Sequence, residues 1–228
     1  MIFPPKCICC RELLERQERY VCRACFAELP YLREPVCLKC GKEIEDEEKE
    51  YCYDCENRPR SYIKGFPLFR YRGGIKESLY RFKYEGKKSY GKYYAGEIVK
   101  KYGRIFNDLG INILVPVPVH KSRLKKRGYN QAGVLCEEIG KILDIPMNNH
   151  ILIRQHNTAP QKKLDNVERE KNLFNAFIPE SKIVQYKSAL IVDDIYTTGA
   201  TVEACTRALH ETGIEDVYYT SVCIGKGN

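Results

Sequence analysis

The sequence lacks any long hydrophobic run. No apolar stretch in its 228 residues approaches the roughly 20 residues that a membrane-spanning helix needs. The first residues, 1–7, also lack the apolar core of a secretory signal peptide. These absences argue against membrane insertion and predict a soluble, cytoplasmic protein.

The length of the chain allows one large domain or two modest ones. Apolar residues make up 43% of the sequence, which is ample for a core, and charged residues make up 30%. The formal net charge of +8 favours phosphate-bearing partners. It does not choose between a small-molecule phosphate site and a nucleic-acid surface.

Cysteine is concentrated near the N-terminus, where nine of the twelve precede residue 60. Eight of these form four C-x-x-C pairs that begin at a constant 15-residue step. Two such pairs can supply four thiolates to one tetrahedral zinc ion, so four pairs predict two structural zinc ions. Disulfides would need an oxidising compartment, and a redox C-x-x-C motif is normally single. The predicted zinc ligands are Cys7, Cys10, Cys22, Cys25, Cys37, Cys40, Cys52 and Cys55.

Which C-x-x-C pairs (knuckles) share a zinc ion is open, because four knuckles can be combined two by two in three ways. Cys9, which lies inside the first knuckle, adds a further possible ligand. We expect sequential pairing, as in a double zinc ribbon. The segment holds few large apolar side chains, so zinc would supply much of its folding free energy. Thiolate ligands also lower the working net charge from +8 to about +4. The acidic run at residues 43–50, interpreted as a solvated hairpin tip, makes this module a poor match for a DNA backbone.

The middle of the chain predicts alternating strands and helices. Residues 56–60 (ENRPR) mark a boundary, which divides the chain into a zinc module, residues 1–59, and an α/β domain, residues 60–228. Loose alternation over residues 63–71 predicts one or two strands, and the apolar run 112–119 predicts a buried strand that ends at two prolines. Helical spacing recurs over residues 73–83, 90–102 and 131–143.

Tyrosine and lysine interleave near the start of the second predicted helix. The residues are Tyr90, Tyr93 and Tyr94 with Lys87, Lys88 and Lys92. Such a pattern can stack the bases of single-stranded DNA. We favour the other interpretation, in which the tyrosines form the packed face of an amphipathic helix.

The most informative segment is LIVDDIYTTGAT, residues 190–201. Its apolar run predicts a buried parallel strand, and ligands in open α/β sheets lie beyond the carboxyl ends of strands. Asp193 and Asp194 would lie there as hydrogen-bond acceptors for sugar hydroxyls. A helix begins near Gly199, and its free N–H groups and dipole favour a phosphate. This order predicts a site for a ribose that carries a 5-phosphate.

This segment resembles the phosphoribosyl diphosphate (PRPP) motif of the type I phosphoribosyltransferases. The resemblance implies an α/β fold with a parallel sheet flanked by helices, and Mg²⁺ bound together with PRPP. The resemblance implies that Asp193 and Asp194 bind the ribose hydroxyls. It implies that the 5-phosphate is bound by Thr197, Thr198, Gly199, Ala200 and Thr201.

A basic segment follows the VPVP sequence at residues 115–118. It is interpreted either as a solvated loop or as a diphosphate-binding loop at the same edge of the sheet. The candidates that would offset the charge of a departing diphosphate are Lys121, Arg123 and Arg127. They are also the candidates for a catalytic role.

A long polar segment at residues 150–177 lies between two predicted strands. Such a segment in a compact domain is often a lid over a ligand, although a surface segment without a ligand role is an equal alternative. The residues that would close over a bound diphosphate are Thr158, Gln161 and Arg169.

Taken in order, the motifs resemble the ComF competence-protein family over nearly the full length. The segments that carry this resemblance are the C-x-x-C pairs, VPVP at 115–118, RLKKRGYNQ at 123–131, TAPQ at 158–161, REKN at 169–172, AF at 176–177 and the PRPP motif at 192–201. The resemblance implies a phosphoribosyltransferase-like domain with a double zinc ribbon. It also implies a role in natural competence, in handling incoming single-stranded DNA beside a helicase-like partner.

Two functions stay open at this point. The chain could be an enzyme that transfers ribosyl 5-phosphate from PRPP to an acceptor that the sequence does not identify. Alternatively, it could be a non-catalytic adaptor that senses PRPP or another phosphate and binds DNA or a helicase-like partner through its zinc ribbon.

Overall fold

The computed structural model describes residues 4–154, 176–179 and 185–225. The N-terminal module contains two short helices, α1 (Arg23–Ala27) and α2 (Tyr53–Asn57). Each helix begins directly after a cysteine of a C-x-x-C pair, Cys22 or Cys52. Isolated antiparallel bridges close the other two knuckles, which leaves the module with little regular structure of its own.

Four parallel strands form the central sheet, which confirms the parallel α/β fold that the resemblance implied. They are β1 (Gly65–Arg70), β2 (Ile113–Pro116), β5 (Ser188–Tyr196) and β6 (Asp216–Ile224). Their order across the sheet is β1-β6-β5-β2. Two further strands, β3 (Leu152–Arg154) and β4 (Phe177–Pro179), pair in an antiparallel arrangement outside this sheet.

Five helices of the α/β domain lie within the described residues. They are α3 (Gly73–Tyr84), α4 (Tyr90–Asp108), α5 (Lys121–Arg127), α6 (Gln131–Leu143) and α7 (Ala200–Glu211). The three helices expected from apolar spacing are confirmed, and α4 continues six residues beyond its predicted end. The basic segment was expected to be a loop, but residues 121–127 of it form α5. The His120 side chain accepts a hydrogen bond from the Ser122 backbone N–H, and left-handed Gly128 ends the helix.

The two faces of the sheet bury separate sets of side chains, because successive residues of a strand point to opposite faces. Leu190 of β5 packs with α3, α4 and α6, whereas its neighbour Ile191 packs with α7. The zinc module contributes to both clusters, since Cys7 joins the first and Cys37 joins the second. The division of the chain at residue 59 stays a prediction.

The tyrosines at the start of α4 are packed inside the protein. Tyr90, Tyr93 and Tyr94 are all buried against the first cluster. The packed interpretation of this face is therefore confirmed over that of a base-stacking platform. Within the part of the chain that the structure describes, no helix combines the length and apolar character needed to cross a membrane.

Candidate functional site

The eight predicted cysteine ligands lie in two groups of four, in the sequential pairing expected from the sequence. Within each group the sulfur atoms all lie within 4.8 Å of one another. The Sγ atoms of Cys10 and Cys22 are 3.7 Å apart, and those of Cys40 and Cys52 are 3.6 Å apart. A tetrahedral zinc ion with Zn–S bonds of about 2.3 Å would separate its sulfur ligands by about 3.8 Å. The donor sets therefore fit zinc.

Backbone N–H groups donate hydrogen bonds to one sulfur of each group. The backbone N–H of Cys22 donates to Cys7 Sγ at 3.4 Å, and that of Cys40 donates to Cys37 Sγ at 3.5 Å. Hydrogen bonds among the thiols of the second group lower the pKa of Cys37 far below the usual range of a thiol and raise the pKa of Cys40 far above it. Because zinc binds the deprotonated sulfur, metal binding would release the protons that the remaining thiols hold.

Cys9 is excluded from the first group, which resolves the ambiguity in the sequence. Its side chain is buried, and burial together with the neighbouring sulfurs raises its pKa to about 12. Gly74 approaches it so closely that an added Cβ would lie 2.7 Å from the Cβ of Cys9. Arg81 donates hydrogen bonds to the carbonyls of Ile8 and Cys9. Cys9 thus packs the module against α3.

Asp193 and Asp194 lie at the carboxyl end of β5, where the sequence placed them. The Oδ1 atom of Asp193 accepts a hydrogen bond from the backbone N–H of Asp194 at 2.8 Å. Burial and the adjacent Asp194 carboxylate disfavour a second negative charge and raise the pKa of Asp193 to about 7. Near neutral pH the pair therefore carries fewer than two charges.

Lys83, in the last turn of α3, neutralises Asp194. Its Nζ atom lies 2.9 Å from Oδ1 of Asp194, and the two side chains are only 17% and 12% exposed. Burial alone would lower the pKa of Lys83, but the Asp194 carboxylate raises it. Sequence reasoning missed this residue, because helical spacing does not show which strand the last turn of a helix meets.

The phosphate-sized turn between β5 and α7 also lies as predicted. Thr197 and Thr198 are exposed, and Gly199 has φ +80°, a conformation that glycine adopts without strain. A Cβ on Gly199 would overlap the hydroxyl of Tyr196. Ala200 and Thr201 open a helix of 12 residues, whose first N–H groups have no acceptor within the helix.

Residues 60–62, which follow the zinc module, brace this turn. Three polar contacts make the connection: Arg60 Nη2 to the Thr198 carbonyl at 2.6 Å, Ser61 Oγ to Glu203 Oε1 at 2.6 Å, and the Tyr62 hydroxyl to the Tyr196 hydroxyl at 2.8 Å. The sequence marked this segment only as a boundary. Its partners are about 140 residues away, so no local pattern reveals them.

Two of the three basic candidates have identified neighbours. The guanidinium of Arg127 lies 5.0 Å from the centroid of the Tyr84 ring and donates to the Tyr84 hydroxyl at 3.2 Å. Burial and the nearby charge of Arg123 lower the pKa of Arg154. Arg123 therefore lies near β3. Lys121 opens α5 and is exposed.

The predicted lid residues Thr158, Gln161 and Arg169 lie outside the described residues. A cleft of about 620 Å³ opens between residues 32–45 of the zinc module and the ends of β1 and β6. Tyr71 lines this cleft, and burial raises its pKa. The charges of Lys83 and Asp194 also act on that pKa.

Two four-cysteine groups and a parallel sheet define a zinc-ribbon protein with an α/β domain. The double zinc ribbon family model matches residues 1–56. The chain is 30% identical to competence protein ComFC of Bacillus subtilis over 209 residues. The aligned region covers 88% of this chain and 82% of that protein. The chain belongs to the ComF competence-protein family, as its motifs predicted.

Two further relatives match over nearly their full lengths. Competence protein F of Haemophilus influenzae is 29% identical over 217 residues, 93% of each chain. The DNA utilization protein YhgH of Salmonella typhimurium is 26% identical over 223 residues, 96% of this chain and 97% of that protein. The double zinc ribbon match and the two sulfur groups together support the prediction of structural zinc.

Proposed function

We propose that the chain acts in natural competence and binds PRPP at the carboxyl edge of its sheet. The names of the relatives support the first part, since two are competence proteins and one is a DNA utilization protein. One observation carries the second part. The acid pair lies near the end of β5, and the strand is joined to α7 by a turn in which a Cβ on Gly199 would overlap the Tyr196 hydroxyl.

PRPP fits this unit group by group. The carboxylates of Asp193 and Asp194 would accept hydrogen bonds from the ribose hydroxyls. The N–H groups at the start of α7, with the hydroxyls of Thr197, Thr198 and Thr201, would hold the 5-phosphate. Magnesium would arrive on the diphosphate and offset its charge, because Mg²⁺ binds substrate phosphates and keeps several waters.

The activity that follows from this site is transfer of ribosyl 5-phosphate. The bond between C1 of the ribose and the diphosphate oxygen would break, and an acceptor nucleophile would form a new bond to C1. Lys121, Arg123 and Arg127 are candidates to offset the charge of the departing diphosphate. The cleft beside Tyr71 is the route by which an acceptor would reach C1.

Calorimetry with PRPP and Mg²⁺ tests the site. The wild-type protein is expected to bind, and the variant Asp193→Asn/Asp194→Asn is expected to lose at least ten-fold in affinity. The variant Asp216→Asn, at the opposite end of the sheet, is the matched control and should bind as the wild type does. Absence of binding by the wild type, or equal binding by the double variant, would rule out the PRPP site.

A screen of nucleobases and amines for diphosphate release separates the enzyme from the sensor. Release with any acceptor supports the transferase. Release with none, in a protein that binds PRPP, supports the adaptor, which uses its zinc ribbon to bind single-stranded DNA or a helicase-like partner. The module exposes the large side chains Leu13, Phe26 and Tyr53, which suit such contacts. Pull-down and DNA-binding measurements on Phe26→Ala/Tyr53→Ala would then test the adaptor.

A further inference from the structure

Lys83 and Asp194 form a buried ion pair at the carboxyl edge of the sheet, where the candidate ligand site lies. Lys83 Nζ and Asp194 Oδ1 are 2.9 Å apart, and both side chains are largely buried. A buried charge pair contributes little more stability than an apolar pair of similar size, because both charges lose their hydration. Stability of the fold therefore does not explain why these two positions are charged.

Lys83 approaches Asp194 from the face of the sheet opposite to the phosphate turn. Phe82, the neighbour of Lys83 in α3, packs in the cluster on one face. Val202, at the start of α7, packs in the cluster on the other face. The turn at Gly199 and the ammonium of Lys83 thus lie on either side of the carboxylates.

A second positive charge lies beside Lys83. Burial and the charge of Arg127 both act to lower the pKa of Lys83, and the Asp194 carboxylate more than offsets them. Arg127 is itself held by the ring and hydroxyl of Tyr84, the residue that follows Lys83. The end of α3 and the end of α5 therefore place two cations together.

The order of these groups matches one class of ligand. Across the site lie a phosphate-binding turn, two carboxylates and then two cations. In a ribose 5-phosphate that also carries a 1-diphosphate, the hydroxyls stand between the two charged ends of the sugar. Ribose 5-phosphate itself has no second phosphate group for the two cations to bind.

We propose that Lys83 is the residue by which this site selects a sugar with a 1-diphosphate. In the free protein Lys83 rests on Asp194; when PRPP binds, its ammonium transfers to a diphosphate oxygen and leaves Asp194 to accept the ribose hydroxyls. An ammonium with three donors on a flexible stem can make this exchange without movement of the backbone. The inference rests on the proposed PRPP site.

Calorimetry on Lys83→Met with two probes, PRPP and ribose 5-phosphate, tests the inference. PRPP affinity is expected to fall at least ten-fold. Ribose 5-phosphate affinity is expected to stay within two-fold or to increase, because Lys83 no longer competes for Asp194. Lys76→Met is the matched control, since Lys76 is an exposed lysine of the same helix, and it should leave both affinities unchanged.

A second variant guards against misfolding. Lys83→Gln keeps a hydrogen-bond donor for Asp194 but removes the charge, and it should show the same selective loss of PRPP. An equal loss of both ligands would mean a merely structural role, and unchanged PRPP affinity would mean no role; either result overturns the inference. If the wild type binds PRPP and the Lys83 variants bind it equally well, the inference about Lys83 fails but the proposed function stands. If the wild type does not bind PRPP, both fail.

Discussion

The rings of Tyr196 and Tyr219 are stacked, with centroids 4.7 Å apart and planes only 9° from parallel. The Tyr219 hydroxyl donates a hydrogen bond to the carbonyl of Cys40, a zinc ligand, at 2.7 Å. Tyr196 lies against Gly199 at the phosphate turn. Two aromatic rings therefore connect the second cysteine group with the candidate ligand site.

Replacement of Tyr219 by Phe is expected to destabilise the protein by about 1–3 kcal/mol, because the buried carbonyl of Cys40 loses its donor. Urea unfolding of the zinc-loaded protein measures this change. The matched control is Tyr218→Phe, since the hydroxyl of Tyr218 has no hydrogen bond among the described contacts. Equal destabilisation by both variants would contradict the role given to the Tyr219 hydroxyl.

Metal analysis is expected to find two zinc ions per chain, one for each four-cysteine group. Cys10→Ser should reduce the content to about one, because it removes a ligand from the first group. Cys9→Ser should keep both ions, since Cys9 lies one residue away but belongs to the core. A loss of zinc from Cys9→Ser as large as that from Cys10→Ser would disprove the assigned ligand set.

Two glycines allow steric exclusion at the turn to be separated from backbone strain. Gly199 and Gly213 both have positive φ, but only at Gly199 would a Cβ meet other atoms. Gly213→Ala should cost about 1–2 kcal/mol in stability and leave ligand binding unchanged. Gly199→Ala should cost more and should also abolish binding of ribose 5-phosphate, as measured by calorimetry. Retained binding by Gly199→Ala would exclude the turn as the phosphate site.

The raised pKa of Asp193 predicts a pH-dependent stability. Its pKa is about 7 in the folded protein against an ordinary 3.8, so between these values the folded state holds a proton that the unfolded state has released. Stability therefore falls as the pH rises toward 7 and levels off above it. Asp193→Asn should remove this contribution, so unfolding of the two proteins should differ more at pH 8 than at pH 6. Asp216→Asn is again the control, and an equal pH slope in wild type and Asp193→Asn would refute the shift.

The parts of the site that adjoin in sequence could be predicted, and those that meet through tertiary structure could not. The strand, acid pair, glycine turn and helix of residues 188–211 form one continuous unit whose order carries its own signal. The partners Lys83 and Asp194 belong to distant elements. Their contact depends on where α3 ends over the sheet, which no periodicity encodes.

The error at α5 has a local cause. Five of the seven residues 121–127 are basic, which suggested a solvated loop. The segment contains no proline or glycine, however, and Gly128 follows it. Basic residues in a last turn with a glycine after them are a helix C-terminal signal, since both satisfy the final carbonyls. The sequence therefore contains a helix C-terminal signal at residues 121–128, although its high charge is also typical of a solvated loop.

The strand order of the central sheet determines when the sheet can be completed during synthesis of the chain. β6 follows β1, β2 and β5 in the chain, yet it lies between β1 and β5. When the ribosome has released β5, β1 still has no neighbour in the sheet, and the aromatic connection to Cys40 is missing its Tyr219. The zinc module can load its metal early, whereas the ligand edge can close only after the last described strand has emerged. A nascent chain stalled before β6 should therefore hold zinc without a working sugar site.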